Sequence, residues 1–299
     1  MPAEESVDEA CPDLRRVLPV GMTISPVQPL IGAEISGVDL MTVDAAGIAA
    51  IRAALLRYKV LFFRDQALDR AGHVALGKAF GELEVHPLSA HPDYPELLRI
   101  YSDGGVRVGR TAPAADFWHS DTTFRDTPSA ASILKACTLP ELGGDTLWAN
   151  MAAVYAGLDP DVRARIEHLD AIHDGVVSFG RHLDTPEKHA AFVARHPPQR
   201  HPVVRIHPET GERVLNVNSG FTTAIADIDP AESVDLLRLL FDEVKRPEYQ
   251  VRFRWSPGAI AFWDNRSTQH YGVADYVGPR DLERVTIIGD RPVGPKAQV

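Results

Sequence analysis

The stretch PVVRIHPETGERVLNVN, residues 202–218, decides the fold class. Two short apolar runs, PVVRIH (202–207) and RVLNVN (213–218), flank Pro208-Glu209-Thr210-Gly211. Proline presets the backbone for a turn and glycine tolerates positive φ, so this spacing predicts a β-hairpin. The same grammar recurs in KVLFF (59–63), ASILKA (131–136), QVRFRW (250–255), AIAFWD (259–264) and RVTIIG (284–289). These runs gather towards the C-terminal half and do not alternate with helices. They predict a mainly β fold with added helices (α+β), an antiparallel sandwich or barrel rather than a doubly wound sheet.

Helices are expected where caps and apolar stripes coincide. Asp44 stands ahead of Ile48, Ile51 and Leu55. Asp229-Pro230-Ala231-Glu232 joins a cap, a first-turn proline and an acid, ahead of Leu237, Leu240, Phe241 and Val244. Segments 69–81, 151–169 and 186–195 also read as helix. Residues 1–20 read as a polar, flexible N-terminal tail, and 21–299 as one domain.

Composition narrows the classes. Of 299 residues, 44% are hydrophobic and 24% charged, with a net charge of −10. No Lys/Arg block appears, so no nucleic-acid or membrane partner is expected. The two cysteines, Cys11 and Cys137, exclude a disulfide framework and fit a reducing, cytoplasmic setting. The acidic N-terminus has no apolar core of a signal peptide. There is no G-x-G-x-x-G after a strand, no H-E-x-x-H and no G-x-S-x-G. In GDRPVGPK (289–296), Pro295 stands where a P-loop needs lysine.

What remains is FWHSDTTF, residues 117–124. His119 and Asp121 stand two apart, so on an extended backbone both side chains point one way and can reach a single cation. A 2-His-1-carboxylate set with open positions suits non-haem Fe(II). H-x-D is also ordinary loop polarity, and the pair needs a third ligand. His270, after the apolar AIAFW, is a candidate at a strand end; its other reading is a hydrogen-bonded structural histidine. Arg280 and Arg284 are four apart and, if extended, face one cavity. Two inward guanidiniums require anions, from a bound acid or from Asp275, Asp281 or Glu283. Gly143-Gly144-Asp145-Thr146 adds a tight turn and a hydroxyl.

These residues resemble the taurine/2,4-D dioxygenases of the TauD/TfdA family over about residues 22–292. The resemblance is carried by GAEISGVDL (32–40), VLFFRDQ (60–66), FGELEVHP (80–87), WHSDTTF (118–124), GGDTLWAN (143–150), HPVVRIHPETGE (201–212), GFTT (220–223) and WDNRSTQHYGVADY (263–276). It is closer to the taurine enzymes. It implies a double-stranded β-helix (jelly roll, cupin-like) and an Fe(II)/2-oxoglutarate-dependent dioxygenase. His119, Asp121 and His270 would be the iron ligands. Thr146 and Arg280 would bind the distal carboxylate of 2-oxoglutarate. Arg284 would lie near the cosubstrate's metal-bound end and could meet an anionic substrate. His86 matches a sulfonate-binding position, and Phe221 and the Thr122 amide match pocket positions. O₂ is the further cosubstrate. The implied partner is a small anionic organosulfur substrate, taurine or a related sulfonate, with sulfate esters or other organic acids as alternatives. A homo-oligomer, dimer or tetramer, is expected. Ser89 replaces a tyrosine of the taurine enzymes, and Ala114 and Ala115 replace polar residues, so the amine-binding end departs from that pattern.

Overall fold

The computed structural model describes residues 18–85, 91–104, 117–180 and 183–295. A seven-stranded sheet runs from edge to edge through Thr23–Pro26, Ala33–Ser36, Val60–Phe63, Ile260–Asp264, Ser129–Thr138, Val277–Ile288 and Leu98–Gly104. One pair, Ala33–Ser36 with Val60–Phe63, is parallel, and the others are antiparallel. A second sheet orders Gln250–Phe253, Thr146–Asn150 and Thr268–Gly272. Together they form the jelly-roll core.

Strand alternation sorts the side chains into layers. Leu61, Phe63, Ile133, Ile260, Phe262, Val285 and Ile287 leave the large sheet on its outer face. They meet Ile51, Leu55, Val74 and Leu76 from the helices Ala45–Tyr58 and Arg70–Lys78. The alternate residues Val60, Phe62, Leu134, Trp263 and Leu282 point inward against Trp148, Val251 and Phe253 of the small sheet. Phe62 stacks on Phe253 at 4.2 Å between centroids and meets Trp148 edge-on at 5.5 Å. The outer face of the small sheet carries a third cluster, in which Ala149 and Met151 pack with Val154, Leu237 and Leu240.

The predicted hairpin is present: Val204–Ile206 pairs with Arg213–Leu215, and Gly211 takes φ 72°. Its strands are shorter than PVVRIH and RVLNVN, because Pro202 belongs to a different strand, Gln199–Pro202, which pairs with Asp170–His173. Asp44 and Asp229 cap their helices as expected. The segment 151–169 is two helices, Met151–Gly157 and Pro160–Ile166, rather than one. Pro160 has no N–H and blocks continuation, while Asp159 accepts from the Asp161 amide and starts the second helix. Among the described residues no helix is long and apolar enough to cross a membrane.

Candidate active site

The segment around His119 borders the small sheet. His119 N donates to His270 O (3.1 Å), and His270 N donates to His119 O (2.8 Å). This reciprocal pair sets the imidazoles side by side, with centroids 4.1 Å apart. The extended backbone ends there. Asp121 opens a turn, and Thr122 takes φ 54°, held by Ser129 N and Oγ on its hydroxyl. Asp121 therefore reaches the cluster from a turn, rather than from the extended strand expected of H-x-D. One ligand atom each from His119, Asp121 and His270 lie within 4.8 Å of one another, with His270 Nε2 4.0 Å from Asp121 Oδ1.

Electrostatics suit these groups to a cation. Burial pushes both imidazoles below their ordinary pKa, so they are neutral near pH 7, the form that ligates metal. His119 Nδ1 lies 2.9 Å from the Phe117 carbonyl, which makes Nδ1 the protonated nitrogen and leaves Nε2 as the ligating lone pair. Burial alone would raise Asp121, but the Arg284 guanidinium, with smaller contributions from the two imidazoles, holds it well below the usual carboxylate range. One buried anion beside two neutral imidazoles fits a divalent cation, and the donor set fits Fe(II).

Two arginines share the interior. Arg280, Leu282 and Arg284 alternate along Val277–Ile288, and Leu282 is in the inter-sheet core, so both guanidiniums turn inward. Arg284 Nη1 lies 2.5 Å from Asp121 Oδ1. Arg280 Nε donates to Gly144 O (3.0 Å), and its Nη2 donates to Thr146 Oγ1 (3.4 Å). Burial lowers the Arg280 pKa. The acids near these arginines in sequence are taken by others: Asp281 by Arg99 (2.7 Å), Glu283 by Arg70 (2.6 Å) and Asp275 by Arg252 (3.2 Å). Among the described residues Arg280 has no carboxylate partner, so a bound anion fits there.

Phe221 is buried, with its ring 6.2 Å from that of His119. The Thr122 hydroxyl is spent on Ser129. His86, Ser89, Ala114 and Ala115 lie outside the described residues. Sequence reasoning passed over Ser132, Asn265 and Gly220. Asn265 sat inside the quoted WDNRSTQH segment, but only its three-dimensional partners reveal a role.

A jelly roll with two histidines and a carboxylate clustered inside is the arrangement of a class of non-haem Fe(II) oxygenases. Comparison with known proteins agrees. The family model "Taurine catabolism dioxygenase TauD, TfdA family" matches residues 23–286. An α-ketoglutarate-dependent sulfate ester dioxygenase of Pseudomonas putida is 40% identical over 288 residues, covering 93% of each chain. An alkylsulfatase of Acinetobacter baylyi is 35% identical over 274 residues, covering 88% of this chain and 84% of its own. The crystal structure of a taurine dioxygenase from Burkholderia xenovorans matches with a TM-score of 0.79 at 40% identity, covering 93% of both chains. The chain belongs to the TauD, TfdA family and is a 2-oxoglutarate-dependent dioxygenase.

Proposed function

We propose that the chain uses Fe(II), 2-oxoglutarate and O₂ to hydroxylate the sulfur-bearing end of a small anionic organosulfur compound, an alkyl sulfate ester or an alkyl sulfonate. The observation that carries this is the inward-facing His119–Asp121–His270 cluster with Arg280, a partly buried guanidinium without a carboxylate partner among the described residues. His119, Asp121 and His270 would hold the iron. Thr146 and Arg280 would hold the distal carboxylate of 2-oxoglutarate. Arg284 would face the charged end of cosubstrate or substrate, joined by His86, with the Thr122 amide and the Phe221 ring bounding the pocket. When bound, iron and 2-oxoglutarate supply the O₂ activation that cleaves an unactivated C–H bond.

The product then falls apart by ordinary chemistry. A hydroxyl on the carbon of a sulfate ester loses its proton as the C–O bond breaks, giving an aldehyde and hydrogen sulfate. On a sulfonate the C–S bond breaks instead, giving an aldehyde and sulfite. Ser89, Ala114 and Ala115 favour a substrate without taurine's amine, and the sulfate ester dioxygenase and alkylsulfatase relatives support the ester reading. The same reading includes a cytoplasmic, homo-oligomeric enzyme, the second point being open to light scattering.

The test supplies Fe(II), 2-oxoglutarate and air with a linear alkyl sulfate, an alkane sulfonate or taurine. Succinate, sulfate and sulfite are then quantified. Stoichiometric sulfate with succinate from the alkyl sulfate is expected. Succinate stimulated only by a sulfur-free acid, with no sulfur oxyanion released, would overturn the proposal.

A further inference from the structure

Asp121 is held by a hydrogen-bond circuit whose direction can be worked out. Trp263 Nε1 lies 2.8 Å from Asn265 Oδ1. Indole nitrogen can only donate, so the Asn265 atom facing it is the oxygen. The same oxygen accepts from the backbone N–H of Asp121 (3.3 Å). Asn265 Nδ2 must then face Ser132 Oγ, to which it donates at 3.0 Å. The single hydroxyl hydrogen of Ser132 goes to Asp121 Oδ2 at 2.8 Å. All four residues are buried. The circuit runs from Trp263 through Asn265 and Ser132 to one oxygen of Asp121.

That leaves the two carboxylate oxygens unequal. Oδ2 is held by Ser132, and Oδ1 faces His270 Nε2 at 4.0 Å and Arg284. A carboxylate turns easily about its terminal torsion, which has broad wells. A free one could present both oxygens to a cation and occupy a coordination position that cosubstrate or O₂ needs. We infer that Ser132 and Asn265 are positioning residues that make Asp121 a one-oxygen ligand. The inference rests on the metal reading of the triad and adds to it two residues that touch no metal.

The test is titration of the metal-free protein with Co(II), followed through its visible ligand-field bands, which report affinity and coordination without turnover. Ser132→Ala should weaken Co(II) binding by about 10–100-fold and alter the bands. Asn265→Ala should act in the same direction, and the double variant should weaken binding by less than the product of the two single effects, since part of the hold of Asn265 on Asp121 passes through Ser132. If Ser132→Ala does not fold, Asn265→Ala is read in its place. Unchanged affinity and bands with only a lower Tm would make the circuit a structural pin and overturn the assignment. Failure of the unaltered protein to bind Co(II) would instead remove the metal reading itself.

Discussion

Arg284 Nη1 lies 2.5 Å from Asp121 Oδ1, and side-chain exposure of the two residues is 11% and 5%. A buried charge pair of this kind contributes little net stability while intact, because both ions have left water. Removing one partner is costly, because the other stays buried and unpaired. Arg284 is thus the counter-charge that keeps Asp121 ionised ahead of any cation.

Arg284→Ala should therefore destabilise the metal-free protein by about 3–5 kcal/mol in urea unfolding. Added Co(II) should restore part of the loss, because a cation on the triad stabilises the native state by mass action and replaces the missing charge. Equal urea midpoints for the variant and the unaltered protein would show that Asp121 does not depend on Arg284.

Gly220 carries a steric constraint on the first histidine. A Cβ there would meet the Phe117 ring and lie 2.9 Å from His119 Cβ. Gly220→Ala should displace the His119 segment and weaken Co(II) binding by an order of magnitude or more. The fold should survive with a modest fall in Tm, because the closest contacts are with one ring and one Cβ. Unaltered Co(II) affinity would mean that the segment yields without moving the ligand.

Much of this arrangement was readable in advance, and the exceptions have physical causes. The Asp44 and Asp229 caps and the Pro-Glu-Thr-Gly turn are local, so a short window contains all their partners. The inward parity of Arg280 and Arg284 followed from strand alternation. The break at Asp159-Pro160 carried its own local signal, which the apolar pattern across 151–169 masked. Thr122 could not be read, because a non-glycine residue at positive φ has no signature of its own and is imposed here by Ser129. The Asn265–Ser132 contact joins residues 133 apart in sequence, and only the pairing of Ile260–Asp264, which Asn265 follows, with Ser129–Thr138 brings them together.

Two buried histidines outside the triad set a pH limit. Burial pushes His73 down to about 4 and His173 down to about 3. Both are neutral in the fold, while in the unfolded chain a histidine binds a proton below roughly pH 6.5. The unfolded state therefore takes up more protons, and stability falls as pH drops from about 6.5 towards 4. At pH 5 each should cost roughly 2 kcal/mol relative to pH 7. His73→Gln should shrink the loss between pH 7 and pH 5 by that amount. An identical pH profile for variant and unaltered protein would show that His73 does not stay neutral in the fold.

Arg280 separates cosubstrate from substrate. Its guanidinium donates to Gly144 O and Thr146 Oγ1, and Thr146 Oγ1 also accepts from Trp255 Nε1 at 3.1 Å. Both bonds to Thr146 use the oxygen as acceptor, so its hydroxyl hydrogen remains for an anion beside Arg280. A charge-assisted hydrogen bond is worth about 1.5–3 kcal/mol, so Arg280→Ala should raise the KM for 2-oxoglutarate by about 10–100-fold. The KM for the sulfur substrate should change far less, because that end of the reaction is assigned to Arg284 and His86. Thr146→Val should move the same constant in the same direction by a smaller factor. Steady-state kinetics with each substrate varied in turn decides the matter: a larger effect on the sulfur substrate than on 2-oxoglutarate would transfer Arg280 to the substrate's anion.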